Sequence, residues 1–166
     1  SQQDALRKLL KSIPFNMPFQ GHPEPSAFAK TILNSVKNVY DGKHAPKNVP
    51  LATEHLSAYT KKILSATSLI PTGYVASYGA IAKAAGGSPR AVGRVMASNP
   101  FAPIVPCHRV VSSDFTLGGY GGGLTAKLEL LVREKRGHTS SQKIFVGDNE
   151  LQVFPVECVL RKLGKD

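Results

Sequence analysis

Residues 77–100 read SYGAIAKAAGGSPRAVGRVMASNP, and the organisation of the chain follows from this stretch. Ser77 stands where a hydroxyl can cap a helix over Tyr78–Ala85, which stops at Gly86-Gly87. Ser88 then caps a second helix whose first position is Pro89, where a missing N–H costs nothing. Val92, Val95 and Met96 fall at i, i+3 and i+4 and give that helix one apolar face, and Asn99-Pro100 ends it. Helix, short glycine turn, helix is the outline of a helix-turn-helix, although many helical proteins carry such a pair.

Upstream, Thr53 can cap a helix carrying Leu56, Tyr59 and Ile63 and ending before Pro71. Before that, prolines from Pro14 to Pro50 break the chain around an amphipathic helix, Ser26–Tyr40, with Phe28, Ile32, Val36 and Val39 on one face. Downstream, the segment Pro100–Pro106 runs straight into Cys107-His108-Arg109-Val110-Val111. A glycine-rich loop, Gly118–Gly123 with Tyr120 inside it, precedes a helix expected over Leu124–Arg136 and closed by Gly137. The tail predicts a hairpin, Lys143–Val146 and Leu151–Phe154 about Gly147-Asp148-Asn149, then an amphipathic end, Val156–Leu163. The texture divides the chain into residues 1–52, 53–137 and 138–166.

No run of about 18 apolar residues occurs, so no membrane span is expected. Ser1–Lys11 is amphipathic with a polar start and lacks the apolar block of a secretory signal, which predicts an intracellular protein. The net charge of +10 is uneven: residues 56–137 hold ten Lys and Arg against three acids. No acid at all lies between Leu56 and Ser113, where Lys61, Lys62, Lys83, Arg90, Arg94 and Arg109 occur. Such a stretch is expected of a phosphate-binding surface; a generally basic protein is the plainer alternative. Cys107 and Cys158 are too few for a disulfide framework, and the five histidines lack ligand spacing, so neither metal nor cofactor is expected.

Three positions could carry chemistry. Arg90 opens the second helix, where a cation opposes the helix dipole, and its exposed neighbours Ser88, Pro89, Ala91 and Gly93 are small. That suits close approach to the minor groove of DNA better than base reading in the major groove. Cys107-His108 pairs a thiol with a base, but sequence neighbours face each other only through a sharp turn or a bridging water. Glu134 sits at the edge of the stripe Leu124, Leu128, Leu131 and Val132, where a carboxylate either faces water or orients a histidine.

Taken together these residues resemble the O6-alkylguanine-DNA alkyltransferases. Val105-Pro106-Cys107-His108-Arg109-Val110 matches the family signature. In order around it stand Val75-Ala76-Ser77-Tyr78-Gly79, Arg90-Ala91-Val92-Gly93, Asn99-Pro100, Gly119-Tyr120 and Lys127, so that the likeness runs from about Ile70 to Gly137. The resemblance implies an α/β chain: a ribonuclease-H-like N-terminal domain, placed by position only, and a mainly helical domain with a helix-turn-helix. It implies that Cys107 accepts the alkyl group, with His108 and Glu134 as a water-linked relay that lowers the thiol pKa, and Asn99 as hinge. Arg90 would fill the gap left by a flipped base, and Tyr78 would help rotate the nucleotide. Main-chain groups at Cys107 and Val110 would read guanine, with Met96, Tyr120, Gly121 and Lys127 around the pocket. Gly121 departs from the serine common in relatives and leaves the pocket roomier.

The implied partner is double-stranded DNA carrying O6-alkylguanine, with O4-alkylthymine as a second candidate lesion. The protein is expected to be a monomer, with cooperative binding along DNA left open, in the nucleus of a eukaryote or the cytoplasm of a prokaryote. A non-catalytic lesion binder would lack the thiol that Cys107 supplies. A transcription regulator would bear polar base-reading residues where this chain has Ala, Gly and Val. A thiol hydrolase would need an oxyanion hole, which nothing here suggests.

Overall fold

A computed structural model describes residue 3, residues 24–44 and residues 49–165. The chain divides into two units at Lys30 and Thr31. Of the first, little beyond the opening turn of one helix is described, so nearly all of the amphipathic start at Ser1–Lys11 and half of the expected ribonuclease-H-like domain, residues 1–52, lie outside the described residues.

The described elements run α1 (Ala27–Tyr40), α2 (Ala58–Ser68), β1 (Tyr74–Ser77), α3 (Tyr78–Ala85), α4 (Pro89–Ala97), a 3₁₀ turn (Cys107–Arg109), β2 (Val110–Val111), α5 (Leu124–Arg133), β3 (Gln142–Val146), β4 (Asn149–Pro155) and α6 (Val156–Lys162). This is a mixed α/β arrangement. The four strands form one sheet in the order β2-β1-β4-β3. β1 pairs parallel with β2, Ala76 opposite Val110, and antiparallel with β4, Val75 opposite Phe154.

Alternation along β1 explains why the sheet is covered on both faces. Tyr74 and Ala76 point into one cluster with Ile63, Ile81, Val92, Val110, Leu151 and Val153. Val75 points the other way, to Leu131, Val156 and Val159 of α5 and α6. Helices α2, α3 and α4 therefore share one side of the sheet, and α5 and α6 occupy the other. Among the described residues no helix is long and apolar enough to cross a membrane.

The helix starts follow from their caps. Ser77 Oγ accepts the N–H of Ala80 at 3.0 Å and Ser88 Oγ that of Ala91 at 3.3 Å, as the hydroxyl positions predict. Between α3 and α4, Gly86 and Gly87 take φ of 90° and 97°, which makes the turn. Two expectations need correction. Thr53 does not cap α2; its carbonyl accepts the N–H of Leu56 in a turn, and Ser57 caps instead, accepting from Thr60 at 3.1 Å. The helix expected to reach Arg136 ends at Arg133, and Glu134 is its C-cap. Glu157 draws the chain out of α5, since its Oε1 accepts the N–H groups of Arg136 at 3.1 Å and Gly137 at 2.6 Å.

Neither β1 nor β2 is announced by the sequence, nor is the pairing of β4 with β1. Leu151 and Val153 of β4 are fully buried, so residues 142–155 supply two of the four strands and part of the main core.

Candidate active site

Pro106 leads into a 3₁₀ turn, in which successive side chains point about 120° apart. Cys107 thus parts from His108 and Arg109 within three residues. The Cys107 N–H donates to Val105 O at 2.8 Å and that of Arg109 to Pro106 O at 2.9 Å. Asn99 holds the approach: its Nδ2 donates to Val105 O at 3.0 Å, and its Oδ1 accepts the N–H of Phe101 at 3.0 Å.

Cys107 faces a cavity of about 540 Å³. Of the residues expected at the site, Tyr78, Pro89, Arg90, Gly93, Met96, Tyr120 and Gly121 line it with Cys107, while Ala97 and Gly119 line it unforeseen. The cavity therefore joins the start of α4 to the thiol. Tyr78 Oη donates to Gly119 O at 3.3 Å. Burial lifts the Tyr120 phenol to about 12, so it stays neutral and able to donate.

Behind the cavity lies a buried ionic cluster. His108 and Glu134 are both 0% exposed, and His108 Nε2 lies 3.0 Å from Glu134 Oε1. Burial would raise the Glu134 carboxyl, but hydrogen bonds from His108 and Arg109, with the Arg109 charge, bring it down to about 2. An ionised carboxylate only accepts, so Nε2 carries the hydrogen. Burial also depresses His108, so the ring is neutral and its Nδ1 keeps a lone pair. That Nδ1 is buried and has no hydrogen-bond partner among the described residues.

Arg109 corrects the charge reading, which set it on a phosphate-binding surface. It is buried, its Nε 2.9 Å and its Nη2 2.7 Å from the two oxygens of Glu134. It also donates to Ile70 O at 2.7 Å and Thr72 Oγ1 at 2.9 Å. Lys61, Lys62, Lys83, Arg90 and Arg94 remain exposed.

Two expected pocket residues stand outside the cavity wall. Lys127 is buried, and its Nζ donates to the carbonyls of Val110 (2.5 Å), Leu117 (2.5 Å) and Gly119 (3.2 Å), tying the glycine loop to β2. Burial brings its pKa down to about 8. The Val110 side chain sits in the main core. The thiol also departs from expectation. Burial pushes its pKa up, and the Asn99 hydrogen bond and Lys127 charge offset this only in part. Cys107 therefore rests as a thiol and needs a base when it reacts.

Fold and site together define a class: an α/β chain with one buried cysteine heading a cavity, backed by a histidine–carboxylate pair. Residues 58–136 match the family model described as "6-O-methylguanine DNA methyltransferase, DNA binding domain". A methylated-DNA–protein-cysteine methyltransferase of Mycobacterium tuberculosis is 37% identical over 115 residues, 68% of each chain. One from Methanothermobacter thermautotrophicus is 34% identical over 117 residues, 70% of this chain and 66% of that protein. One from Pyrobaculum aerophilum is 57% identical over 65 residues, and the match spans 44% of its length. Among solved structures, M. tuberculosis OGT in complex with DNA aligns with a TM-score of 0.60 at 35% identity, covering 73% of this chain and 76% of that one. The O6-methylguanine-DNA methyltransferase of Pyrococcus kodakaraensis aligns with a TM-score of 0.58 at 31% identity, covering 80% and 76%. The chain belongs to the methylated-DNA–protein-cysteine methyltransferase family.

Proposed function

We propose that this chain repairs O6-alkylguanine in double-stranded DNA by moving the alkyl group, once, onto Cys107. The observation that carries the reading is the cavity that runs from Arg90 and Pro89 to the Cys107 thiol. A base inside a duplex is out of reach of a thiol, so the nucleotide must turn out of the stack. Helices α3 and α4 act as the helix-turn-helix, Arg90 fills the gap, and the small residues Ser88, Ala91 and Gly93 let α4 approach closely. Tyr78 helps rotate the nucleotide, Tyr120 and the Gly121 N–H bound the pocket near O6, and Asn99 joins α4 to the reactive turn.

The neutral His108, with its lone pair on Nδ1, takes the thiol proton through a water molecule, and Glu134 stabilises the imidazolium that results. Sγ attacks the alkyl carbon, the carbon–O6 bond breaks, and the departing guanine takes up a proton. The thioether has no ready leaving group, so each molecule acts once. O4-alkylthymine is a second candidate substrate. The protein works as a monomer in the compartment that holds the DNA. Its N-terminal part, residues 1–52, is, by the family resemblance, a ribonuclease-H-like domain; residues 53–137 carry the reaction, and residues 138–166 complete the sheet and core that support it. Cys107 argues against a lesion binder without chemistry.

Mass spectrometry after incubation with an O6-methylguanine duplex tests the reading. One methyl group on Cys107 is expected, and none for Cys107→Ser. Modification at Cys158, or repeated turnover by one molecule, would overturn it.

A further inference from the structure

Among the described residues, Phe115 is the one non-glycine with a positive φ, at +65°. A side chain crowds the following carbonyl there, and for an aromatic residue the conformation is an outlier that the surroundings must hold. Phe115 sits in the turn after β2, where its N–H donates to Ser112 O at 3.0 Å and the Ser112 N–H to Thr116 O at 3.0 Å. Asp114 Oδ1 accepts from the Thr116 N–H at 3.1 Å and from Thr116 Oγ1 at 2.7 Å. Both of these bonds are exposed, so water competes for them and they hold the turn weakly.

The firmer hold comes from the C-terminal segment. The Phe115 ring meets that of Phe154 edge-on, with 5.3 Å between centroids and 74° between planes. Phe154 lies in β4 opposite Val75 of β1, and both rings pack against the cluster of Val75, Val111, Leu131, Val156 and Val159. Ring contact and burial together offset the backbone strain, so the turn keeps this shape while Phe154 is in place.

Two residues on, the turn becomes the wall of the thiol cavity. Leu117 packs on the same cluster, and its carbonyl accepts from Lys127 Nζ. Gly118 has φ +65° and no room for a Cβ, which would stand 2.9 Å from the Tyr78 ring. Gly119, Tyr120 and Gly121 then line the cavity. A Cβ on Gly119 or Gly121 would meet nothing within 4 Å, so no side chain props the loop from that side. Its placement is handed on from residues 115–118, which Phe154, Lys127 and Tyr78 hold.

We infer that Phe154 is a positioning residue for the reaction: by keeping Phe115 in the left-handed turn, it sets Tyr120 and Gly121 where transfer to Cys107 needs them. The inference rests on the proposed alkyl transfer and concerns a residue outside the cavity wall. A displacement of about 1 Å in groups that meet the reacting base can slow a reaction by up to about a hundredfold.

The test follows single-turnover transfer from an O6-methylguanine duplex, under conditions where circular dichroism shows each variant folded. Phe154→Ala should slow transfer roughly tenfold and leave binding of undamaged duplex within about twofold, because the α3–α4 face is untouched. Phe154→Tyr keeps the ring and should stay within about twofold of wild type. The deciding variant is Phe115→Gly in the Phe154→Ala background. Glycine takes a positive φ without strain, so the turn no longer needs the ring pair, and the rate should return to within about threefold of wild type. Stability should meanwhile fall further, since a second ring has left the cluster. A residue that only packs would give the reverse, a double variant both slower and less stable than the single one. That result, or a wild-type rate in folded Phe154→Ala, overturns the inference and leaves the proposed function standing. Should Phe154→Ala not fold, Phe154→Leu with and without Phe115→Gly carries the same comparison, the single change slowing transfer about threefold. Failure of wild type to transfer at all overturns the function, and this inference with it.

Discussion

Glu134 is where residue-scale reasoning bears most weight, because one carboxylate serves both His108 and Arg109. Glu134→Gln removes the charge that stabilises the imidazolium, so transfer from O6-methylguanine duplex should slow by about a hundredfold. Binding of undamaged DNA should change little, since Glu134 lies behind the cavity. The same change leaves Arg109 buried without its counter-ion, which should cost about 3–5 kcal/mol of stability. Denaturant unfolding together with rates corrected for the folded fraction separates the two effects. Wild-type rate in a folded Glu134→Gln protein would remove Glu134 from the relay. The pH dependence follows from the sign of the shift. Glu134 falls from 4.5 to about 2, so its contribution to stability is whole above about 4.5 and fades as pH drops towards 2. Acid unfolding followed by circular dichroism should reveal that window, and Glu134→Gln should lack it. Arg109 was not legible as part of this cluster. A charge count cannot tell an exposed arginine from one whose guanidinium is spent on a carboxylate 25 residues away.

At the scale of elements, the α3–α4 pair was legible because its signals are local: Ser77 and Ser88 cap, two glycines turn, and Asn99-Pro100 stops. Strands β1 and β2 were not, since four and two residues buried on both sides display no alternation of polar and apolar. Register between them is a long-range fact that no window of sequence holds. The function of the pair yields a prediction on Arg90. Arg90→Ala should slow repair of duplex substrate more than reaction with free O6-benzylguanine, because the arginine offsets a flipping cost of a few kcal/mol that a free base never meets. Lys62→Ala or Lys83→Ala should weaken duplex binding and leave the free-base reaction alone. Binding should fall steeply with salt, with little sequence preference. An unchanged ratio of duplex to free-base rates in Arg90→Ala would make Arg90 one more surface cation.

For the whole molecule, the tail is the informative part. Leu151, Val153, Val156, Val159 and Leu160 are all fully buried. Removing residues 138–166 would forgo burial worth on the order of 10 kcal/mol, comparable with the entire stability of a typical domain. A chain ending at Gly137 should therefore fail to fold, as circular dichroism and limited proteolysis would reveal; a cooperatively melting, reactive fragment would contradict this. The hairpin itself was readable from its turn residues, whereas its pairing with β1 was not. The Glu134 cluster has a consequence at this scale as well. It joins the reactive turn, the end of α5 and the Ile70–Thr72 loop, so injury to the relay also loosens the fold. A molecule that clasped a lesion without curing it would shield the damage from every other remedy. Where the loss strikes His108 or Glu134, which also brace the chain, such an impostor would be short-lived, and a cell's proteases would cull it before it could stand guard over the wound.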